Sequence, residues 1–281
     1  MRRGSPERAY SYYITIQCFP EKRNGRRTAP ARVRAGGGAE NGTFSGIVFG
    51  KKITVCENGE FAEISGFSEK EAREYFDLET NYSEYINRLS EDKTLCEACK
   101  CSAGIRILRQ EPFETLISFI ISQNNNIPRI SGIIGRLCES FGEKIDGGFA
   151  FPTAEKLRGI TAEDLAPLRA GFRARYIADA VEKVNSGEIN FAEINALPLE
   201  QAREKLKIIT GVGDKVADCV LLFAFHKTDA FPKDVWVKRL MAQFYPNGLP
   251  DCTKGIEGIA QQYLFDYVRN NDGLTQAAVN R

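Results

Sequence analysis

The hydrophobic pattern of the chain changes once, at Gly66, and this change limits the folds available to it. Before Gly66, short runs rich in Val, Ile, Thr and aromatic residues are bounded by Gly or Asn-Gly, which is typical of strands and tight turns. These runs are YSYYITIQCF, GTFSGIVFG, KKITVCENG and EFAEISG. After Gly66 the apolar residues recur at helical spacing. The sequence therefore predicts an α+β protein, with a small antiparallel sheet over residues ~9–66 followed by an all-helical body.

Signals for helix starts and helix ends divide the second part of the chain. Ser68 precedes an acidic first turn and is expected to be an N-cap, and Pro128 is expected near a helix start. The run EPFETLISFIISQ is dense enough in apolar residues for a buried helix. Further helices are predicted over FPTAEKLRGI, TAEDLAPL, RARYIADAVEKVNSG, PLEQAREKLKII and EGIAQQYLFDYVRNN. We expect a β-rich domain over 1–104, with 24–43 disordered, and a helical domain over 105–281.

Charge and hydropathy narrow the classes of partner. No apolar run reaches the ~18 residues that a membrane span needs, and no secretory signal is seen, so we expect a cytoplasmic monomer without a membrane partner. Residues 1–35 carry nine Lys or Arg and two Glu, a net charge of +7, whereas the remainder carries 29 basic and 35 acidic residues, a net charge of −6. The acidic body lacks the broad basic field of a nonspecific DNA binder.

Eight cysteines are present, and three of them form the cluster CEACKC: Cys96, Cys99 and Cys101. A structural zinc site needs four ligands, usually as two separated pairs, and no His lies near this cluster. We therefore expect free thiols in a reducing compartment, with no cofactor and no catalytic metal.

The segment KLKIITGVGDKVADC carries the strongest chemical signal. Gly211, Val212 and Gly213 are expected to form a tight turn between two helices, and the amides of this turn, with the positive end of the following helix, suit a backbone phosphate. A packing corner between helices remains the alternative interpretation. Lys215 lies in the first helical turn, where a cation is disfavoured, so a neutral amine nucleophile is expected. Asp234 is expected to be the N-cap of the next helix, and it can also orient the amine.

These residues and two further blocks resemble a known family. GVGDKVADC followed by AFPKDVW is similar to the helix-hairpin-helix–Gly/Pro-Asp DNA glycosylases, and ILRQEPFETLISFIISQNNNIPRISGIIGRLCESFG and PLRAGFRARYI are similar to the 8-oxoguanine DNA glycosylase/AP lyase branch. The resemblance covers residues 105–270 well and residues 44–104 loosely. It implies a TATA-box-protein-like β domain before two helical subdomains, with the active site between the helical parts. The implied partner is double-stranded DNA containing a damaged base, flipped out of the helix.

The resemblance also implies a role for each matching residue. Lys215 is the implied nucleophile at the sugar C1′, and Asp234 the carboxylate that stabilises the positive charge. The implied base-binding residues are Cys219, Phe265 and Gln261. The implied DNA-binding residues are Asn124, Arg129, Phe172, Arg173, Gly211, Val212 and Gly213, with Arg129 and Arg173 as readers of the cytosine opposite the lesion. A K⁺ or Na⁺ ion is possible at the carbonyls of Lys207, Ile209 and Val212.

The N-terminal part departs from the family pattern. Where the family has a Gly-Gln-x-Phe-Arg-Trp block, whose Gly carbonyl reads the lesion, this chain has Ile16-Gln17-Cys18-Phe19-Pro20-Glu21. The departure leaves the lesion range open. Two alternatives also stay open: a catalytically silent helix-hairpin-helix DNA-binding protein, and an alkylbase glycosylase of the same fold. For Trp236, packing and DNA contact are both compatible with the sequence.

Overall fold

The structure, a computed structural model, describes residues 15–17, 43–58 and 61–270. The strands in these ranges form one three-stranded antiparallel sheet and two antiparallel pairs. The sheet has the order β2 (Thr43–Val48), β3 (Lys51–Asn58), β4 (Phe61–Ser65). The pairs are β1 (Thr15–Gln17) with β5 (Ile105–Ile107) and β6 (Lys144–Ile145) with β7 (Gly148–Phe149).

Two glycines determine the shape of the sheet. The β2–β3 turn consists of Phe49 and Gly50, with φ values of 50° and 70°, as a two-residue hairpin turn requires. Gly66 ends the sheet at φ +92°, and a β-carbon there would overlap the carbonyl oxygen of Lys52. Only glycine can therefore occupy position 66, which is the position where the sequence pattern changes from strand to helix.

Helices make up most of the remaining described chain. They are α1 (Glu69–Tyr75), α2 (Tyr82–Leu89), α3 (Lys93–Cys101), α4 (Pro112–Ser122), α5 (Ile127–Phe141), α6 (Arg173–Ser186), α7 (Phe191–Ala196), α8 (Leu199–Lys207), α9 (Asp214–Phe225), α10 (Val235–Phe244) and α11 (Glu257–Asn270). The prediction of an α+β chain with a small antiparallel sheet before a helical body is confirmed.

The predicted helix caps are confirmed. The Ser68 side chain accepts from the Glu71 N–H, and the Glu71 carboxylate accepts from the Ser68 N–H, which makes a capping box. Pro128 lies in the first turn of α5, where its missing N–H has no cost. Because these caps satisfy backbone groups that would otherwise lack partners, the helices begin where the sequence indicates.

Two groups of buried side chains form the core. The smaller one joins the sheet to α1, and the larger one lies among α2–α11. Within the larger group α4 packs against α9, and Phe119 stacks on Phe223 with ring centroids 5.7 Å apart. The C-terminal helix α11 packs against α3. Among the described residues, no helix is long and apolar enough to cross a membrane.

Three expectations about local structure are wrong. Residues 151–165 form turns, not helices, followed only by a short 3-10 helix at Ala166–Leu168. The part after Gly66 is not helical throughout, because it contains β5, β6 and β7. The run YSYYITIQCF does not add a strand to the main sheet, since its described part, β1, pairs with β5.

Candidate active site

The Gly211–Gly213 turn connects α8 to α9 as a helical hairpin. Gly211 has φ +82°, and a β-carbon there would overlap the ring of Tyr176 on α6. Gly213 is the N-cap of α9 in an extended conformation, and a β-carbon there would meet nothing within 4 Å. Gly211 is therefore required by the fold, whereas the absence of a side chain at Gly213 leaves the start of α9 open to a ligand.

Charged side chains of α6 hold the hairpin in place. The Asp179 carboxylate accepts the Thr210 N–H at 2.7 Å, and the Lys183 ammonium donates to the Ile208 carbonyl at 2.8 Å. The pKa of Asp179 is lowered because the hydrogen bonds from Lys183 and Thr210 outweigh the effect of burial, which is to raise it. Hydrogen bonds of this kind fix the turn relative to α6 and so keep its amides in one orientation.

The two helices of the hairpin are also joined by ion pairs. Arg203 of α8 donates to the buried Asp218 of α9 at 2.7 Å, and Lys207 bridges to Asp214 at 2.9 Å. Burial raises the pKa of Asp218, although the hydrogen bond from Arg203 acts in the opposite direction. A buried carboxylate needs such a partner, so Arg203 fixes the angle between the two helices.

Lys215 lies in the first turn of α9 and is half-buried. Its ammonium nitrogen is 5.2 Å from the centroid of the Phe119 ring, which itself stacks on Phe223. Asp234 caps α10 through Oδ1, which accepts the Val237 N–H at 2.7 Å, and this cap confirms the sequence expectation. Both functional groups are thus held at helix starts, where one side of each remains accessible.

The three predicted base-binding residues lie on α9 and α11. Cys219 is fully buried one turn after Lys215, and Phe265 is half-buried on α11. Gln261 is 2% exposed, and its amide donates to the Pro232 carbonyl at 3.1 Å while its oxygen accepts from Gln262 at 2.9 Å. Gln261 therefore connects α11 to the segment that leads into Asp234, and its amide is held in one orientation.

The three consecutive asparagines have different roles in the α4–α5 loop. Asn124 is exposed and adopts a left-handed conformation at φ +45°. Asn125 donates to the Ile121 carbonyl at 3.0 Å, and Asn126 accepts the Arg129 N–H as the N-cap of α5. The Asn125 and Asn126 side chains therefore shape the loop through bonds to its backbone. Asn124 and Asn126 are both exposed, but the Asn126 oxygen is used in the cap of α5.

Phe172 and the two arginines surround the same loop but differ in exposure. Phe172 is 44% exposed and packs edge-on against Tyr176 at 5.6 Å. Arg129 is exposed, and one of its terminal nitrogens lies 3.9 Å from the position of a β-carbon at Gly171. Arg173, in contrast, is 1% exposed. The sequence around Arg173 is compatible with a solvated arginine, and nothing in the local pattern indicates that this side chain is buried.

The start of α10 presents an exposed apolar and basic surface. Val235 is 63% and Trp236 is 41% exposed, and the Arg239 guanidinium lies 5.6 Å from the Trp236 ring centroid. Lys233 and Lys238 are also exposed, and α10 contains no acidic residue. Trp236 is therefore not part of the core, and its contact with DNA stays a prediction.

Tyr176, Asp179 and Lys183 are site residues that the sequence reasoning missed. All three lie on α6 and support the hairpin or Phe172. Phe172 and Tyr176 are four residues apart, so an aromatic pair on one helix face was a usable signal. The pairing of Asp179 with the Thr210 N–H links positions 31 residues apart and has no sequence signal.

The cysteine cluster and the N-terminal segment that departs from the family pattern complete the predicted positions. Cys96, Cys99 and Cys101 are free thiols on α3, and burial raises the pKa of Cys99 to about 12. Ile16 and Gln17 lie in β1, where Ile16 is opposite Arg106. Cys18-Phe19-Pro20-Glu21 and the segment 24–42 lie outside the described residues.

Comparison with known proteins places the chain among DNA repair proteins. Residues 117–257 match the family described as HhH-GPD superfamily base excision DNA repair protein, and residues 38–116 match the 8-oxoguanine DNA glycosylase N-terminal domain. A probable N-glycosylase/DNA lyase of Methanothermobacter thermautotrophicus is 33% identical over 71% of this chain and 72% of its own length. The N-glycosylase/DNA lyase of Saccharomyces cerevisiae is 42% identical over 50% of this chain, but only 42% of its own length.

A solved structure covers more of the chain. The 8-oxoguanine glycosylase/lyase of Clostridium acetobutylicum, in complex with double-stranded DNA containing cytosine opposite 8-oxoguanine, is 39% identical. The similarity covers 91% of this chain and 89% of that one, with a TM-score of 0.76. Both family matches are consistent with the hairpin and with the positions of Lys215 and Asp234. The chain belongs to the HhH-GPD superfamily of base excision DNA repair proteins.

Proposed function

We propose that this chain is a bifunctional DNA glycosylase/AP lyase that removes 8-oxoguanine from double-stranded DNA in base excision repair. The observation that carries the proposal is the Lys215 amine in the first turn of the helix that follows the Gly211–Gly213 hairpin. A hairpin that only binds DNA needs its amides and no amine. The names of the relatives, N-glycosylase/DNA lyase and 8-oxoguanine glycosylase/lyase, support the same activity.

The proposed chemistry uses Lys215 as the nucleophile. Its neutral amine attacks C1′ of the damaged nucleotide, and the N-glycosidic bond breaks as the base leaves with the bonding electrons and then takes up a proton. A proton then passes from the attacking nitrogen to O4′ as the C1′–O4′ bond breaks, which opens the sugar ring and gives the protonated imine, the Schiff base. Loss of the C2′ proton then breaks the C3′–O bond and cleaves the strand. Asp234 stabilises the positive charge that develops on the sugar.

The flipped base is proposed to lie between Cys219 and Phe265. The buried amide of Gln261, held by Pro232 and Gln262, still has one N–H and one oxygen lone pair for the edge of the base. Which oxidised bases the protein accepts is not determined by the family pattern, because Ile16 stands where that pattern has glycine. β1 pairs with β5 at this position, so the backbone of Ile16 is held in a strand. A backbone carbonyl that recognises a lesion needs a fixed position of this kind.

The hairpin is proposed to bind one phosphate of the DNA backbone through the amides of Gly211 and Gly213. The Val212 N–H, which the sequence predicted as a third donor, is already donated to the Ile209 carbonyl. The carbonyls of Lys207, Ile209 and Val212 are proposed to bind a monovalent cation. The Ile209 carbonyl accepts the Val212 N–H at 3.0 Å, and a carbonyl has a second lone pair that a cation can use. The cation would strengthen the positive end of α9 beside the phosphate.

The strand opposite the lesion is proposed to contact Asn124, Phe172 and the arginine pair Arg129 and Arg173. Asn124 would fill the space left by the flipped base, and Phe172 would wedge beside it. Arg129 would donate to the O2 and N3 acceptors of cytosine, which adenine does not offer in the same place. A charged hydrogen bond of this kind is worth about 1.5–3 kcal/mol, so the enzyme should excise the lesion opposite cytosine about tenfold to a hundredfold faster than opposite adenine.

A panel of duplexes that each carry one lesion tests the proposal. We expect base release and strand cleavage with 8-oxoguanine opposite cytosine, and neither with undamaged guanine. Release of alkylated bases without strand cleavage would indicate the alkylbase alternative. Binding without release of any base would indicate a DNA-binding protein without catalysis. Either result would contradict the proposed activity.

A further inference from the structure

Gln261 and Gln262 are neighbouring glutamines on α11, and both are buried, at 2% and 3% exposure. Glutamine is seldom buried this completely, because an amide that gives up its hydrogen bonds to water needs others in their place. Here Nε2 of Gln262 donates to Oε1 of Gln261 at 2.9 Å, and Nε2 of Gln261 donates to the Pro232 carbonyl at 3.1 Å. One chain of hydrogen bonds therefore connects the two side chains to the segment before Asp234.

The contact between the two amides is not a simple result of helix geometry. Successive residues of an α-helix point about 100° apart, so neighbouring side chains do not face each other. The amides of Gln261 and Gln262 meet only because both long side chains turn toward the same point. Phe265 lies four residues after Gln261 and shares its side of α11. Gln262 therefore contacts a side chain on the helix face that is proposed to meet the flipped base.

The order of the hydrogen bonds determines which end of each amide is the donor. A carbonyl oxygen can only accept, so the group of Gln261 that faces Pro232 is its NH2 group, and Oε1 lies at the other end of the amide. Oε1 can also only accept, so the group of Gln262 that faces it is likewise an NH2 group. The Gln261 amide is thus held at both ends, by an acceptor at its nitrogen and by a donor at its oxygen.

Two contacts fix this amide more firmly than one. Rotation of the Gln261 amide by half a turn about its last side-chain bond exchanges the oxygen and the nitrogen. With both partners present, this rotation loses two hydrogen bonds and brings Oε1 against the Pro232 carbonyl and Nε2 against the Gln262 donor. Without the Gln262 donor, only the contact with Pro232 opposes the rotation. Gln262 therefore increases the free-energy difference between the two orientations of Gln261.

The orientation of the Gln261 amide bears on the choice of base. The Watson–Crick edge of a guanine-derived base has a donor at N1 and an acceptor at O6, whereas that of an adenine-derived base has an acceptor at N1 and a donor at the 6-amino group. The remaining lone pair of Oε1 and the remaining N–H of Nε2 suit the guanine pattern in one orientation and the adenine pattern in the other. Because a buried polar group that meets its own kind stays unpaired, sites of this type discriminate strongly.

We propose that Gln262 is a positioning residue, which holds Oε1 of Gln261 as an acceptor for the N1–H of a guanine-derived base and thereby disfavours an adenine-derived one. Because the base contact of Gln261 is itself part of the proposed function, this role rests on that function. Gln262 acts through Gln261 and not by touching the base. Its loss should lower the selectivity between two oxidised purines and leave the chemistry at C1′ unchanged.

The test compares Gln262→Met with the control variant Tyr263→Phe. Methionine fills a similar volume but has no N–H donor. Tyr263 is buried on another side of α11, with its hydroxyl 3.5 Å from the Ile105 carbonyl oxygen, so the control also removes a buried polar group from this helix. Single-turnover rates are measured on 8-oxoguanine opposite cytosine, on 8-oxoadenine opposite cytosine, and on a duplex with a preformed abasic site. The two oxidised purines share the N7–H and the C8 oxygen and differ at the edge that Gln261 is proposed to read.

The wild-type protein and Tyr263→Phe should release 8-oxoguanine faster than 8-oxoadenine, with the same ratio of rates. In Gln262→Met this ratio should fall about fivefold to a hundredfold, while the abasic duplex is cleaved at the wild-type rate. An unchanged ratio, equal losses on all three substrates, or a wild-type ratio near one would overturn the proposal. If the wild-type protein releases neither purine, the proposed function fails, and a measurement on the free protein decides whether Gln262 holds Gln261.

Proton exchange of the side-chain amides in the free protein, followed by NMR, reports this contact without any activity. In the wild type, the side-chain amide protons of Gln261 and Gln262 should exchange with water at least about tenfold more slowly than those of the exposed Gln201. In Gln262→Met the exchange at Gln261 should become about tenfold faster, whereas Tyr263→Phe should leave it unchanged. Unchanged exchange at Gln261 in Gln262→Met would overturn the proposal. If Gln262→Met does not fold, fast exchange at Gln262 in the wild type would overturn it equally.

Discussion

At the scale of single residues, Gly211 and Gly213 lie two positions apart but tolerate substitution differently. Gly211→Ala places a β-carbon in the Tyr176 ring at a positive φ, so we expect the free energy of unfolding to fall by about 2 kcal/mol or more. Gly213→Ala meets open space at an extended φ and should cost less than about 1 kcal/mol. Urea unfolding of both variants checks the difference. Equal losses would mean that Tyr176 does not restrict position 211.

Asp234 has two roles that one substitution separates. As the N-cap of α10 it accepts the Val237 N–H, and asparagine can do the same. As a carboxylate it is proposed to stabilise positive charge on the sugar, which asparagine cannot do. Asp234→Asn should therefore keep the wild-type melting temperature and lesion binding but lose at least about a hundredfold in single-turnover rate. Asp234→Ala should lose stability as well, by about 1 kcal/mol. Wild-type turnover in Asp234→Asn would exclude the proposed charge role.

At the scale of elements, Asp179 and Lys183 of α6 hold the hairpin in place through hydrogen bonds. Gly213→Val would place a branched side chain in the open space at the start of α9. Because a phosphate contact carries no sequence information, binding to duplexes with and without a lesion should weaken by the same factor. Fluorescence anisotropy with both duplexes measures it, and Thr210→Val, on the exposed side of the turn, serves as the control. Because the Thr210 side chain also contacts Asp179, a second control, Gln201→Ala at an exposed position of α8 outside the turn, should bind both duplexes like the wild type. A loss confined to the lesion duplex would contradict a phosphate contact at this hairpin.

How far the elements could be predicted depends on whether their signals are local. The caps at Ser68 and Asp234 use side chains within three residues, and the sequence predicts both. The helix prediction for residues 151–165 is wrong because signals for helix starts and helix ends follow one another too closely there. Thr161 and Asp164 cap each other, and Gly159 at φ +78° ends the preceding turn, which leaves no room for a helix.

The contacts of Arg173 show the second kind of failure. Its partners Gln123 and Asn124 lie 50 and 49 residues earlier in the chain. Sequence spacing on α6 does not indicate them, because they depend on how the α4–α5 loop packs against the start of α6. The positions of Lys215 and Asp234 could be predicted from the sequence, because each residue lies beside a turn or a helix cap that has its own local pattern.

At the scale of the whole molecule, Asp77 connects the N-terminal part to the helix that carries Lys215. Asp77 is buried after α1 and has a left-handed backbone, with φ +52°. Its carboxylate accepts hydrogen bonds from the hydroxyls of Thr80 and Tyr82. It also forms an ion pair with Arg109 at 2.9 Å and lies 3.2 Å from His226, at the end of α9. Burial alone would raise its pKa, but the contact with His226, the hydrogen bond from Thr80 and the charge of Arg109 lower the pKa to about 2.

This lowered pKa predicts how stability depends on pH. A carboxyl group whose pKa is lower in the folded state stabilises the fold above its unfolded value, near 3.8, and that stability is lost as the pH falls toward 2. The contribution is roughly 2 kcal/mol. Between pH 5 and pH 2.5 the wild type should therefore lose more unfolding free energy than Asp77→Asn, measured by urea unfolding at each pH. Parallel curves would show that folding does not lower the pKa of Asp77.

The central claim is that Lys215 forms a covalent imine with DNA, and borohydride trapping tests it most directly. Hydride reduces an imine to a stable amine, so the wild-type protein should become cross-linked to a duplex with 8-oxoguanine opposite cytosine. Lys233→Gln is the matched control, because Lys233 is an exposed lysine beside Asp234, and it should cross-link like the wild type. Lys215→Gln should give no cross-link and no strand cleavage. Cross-linking of Lys215→Gln at the wild-type rate would contradict the account.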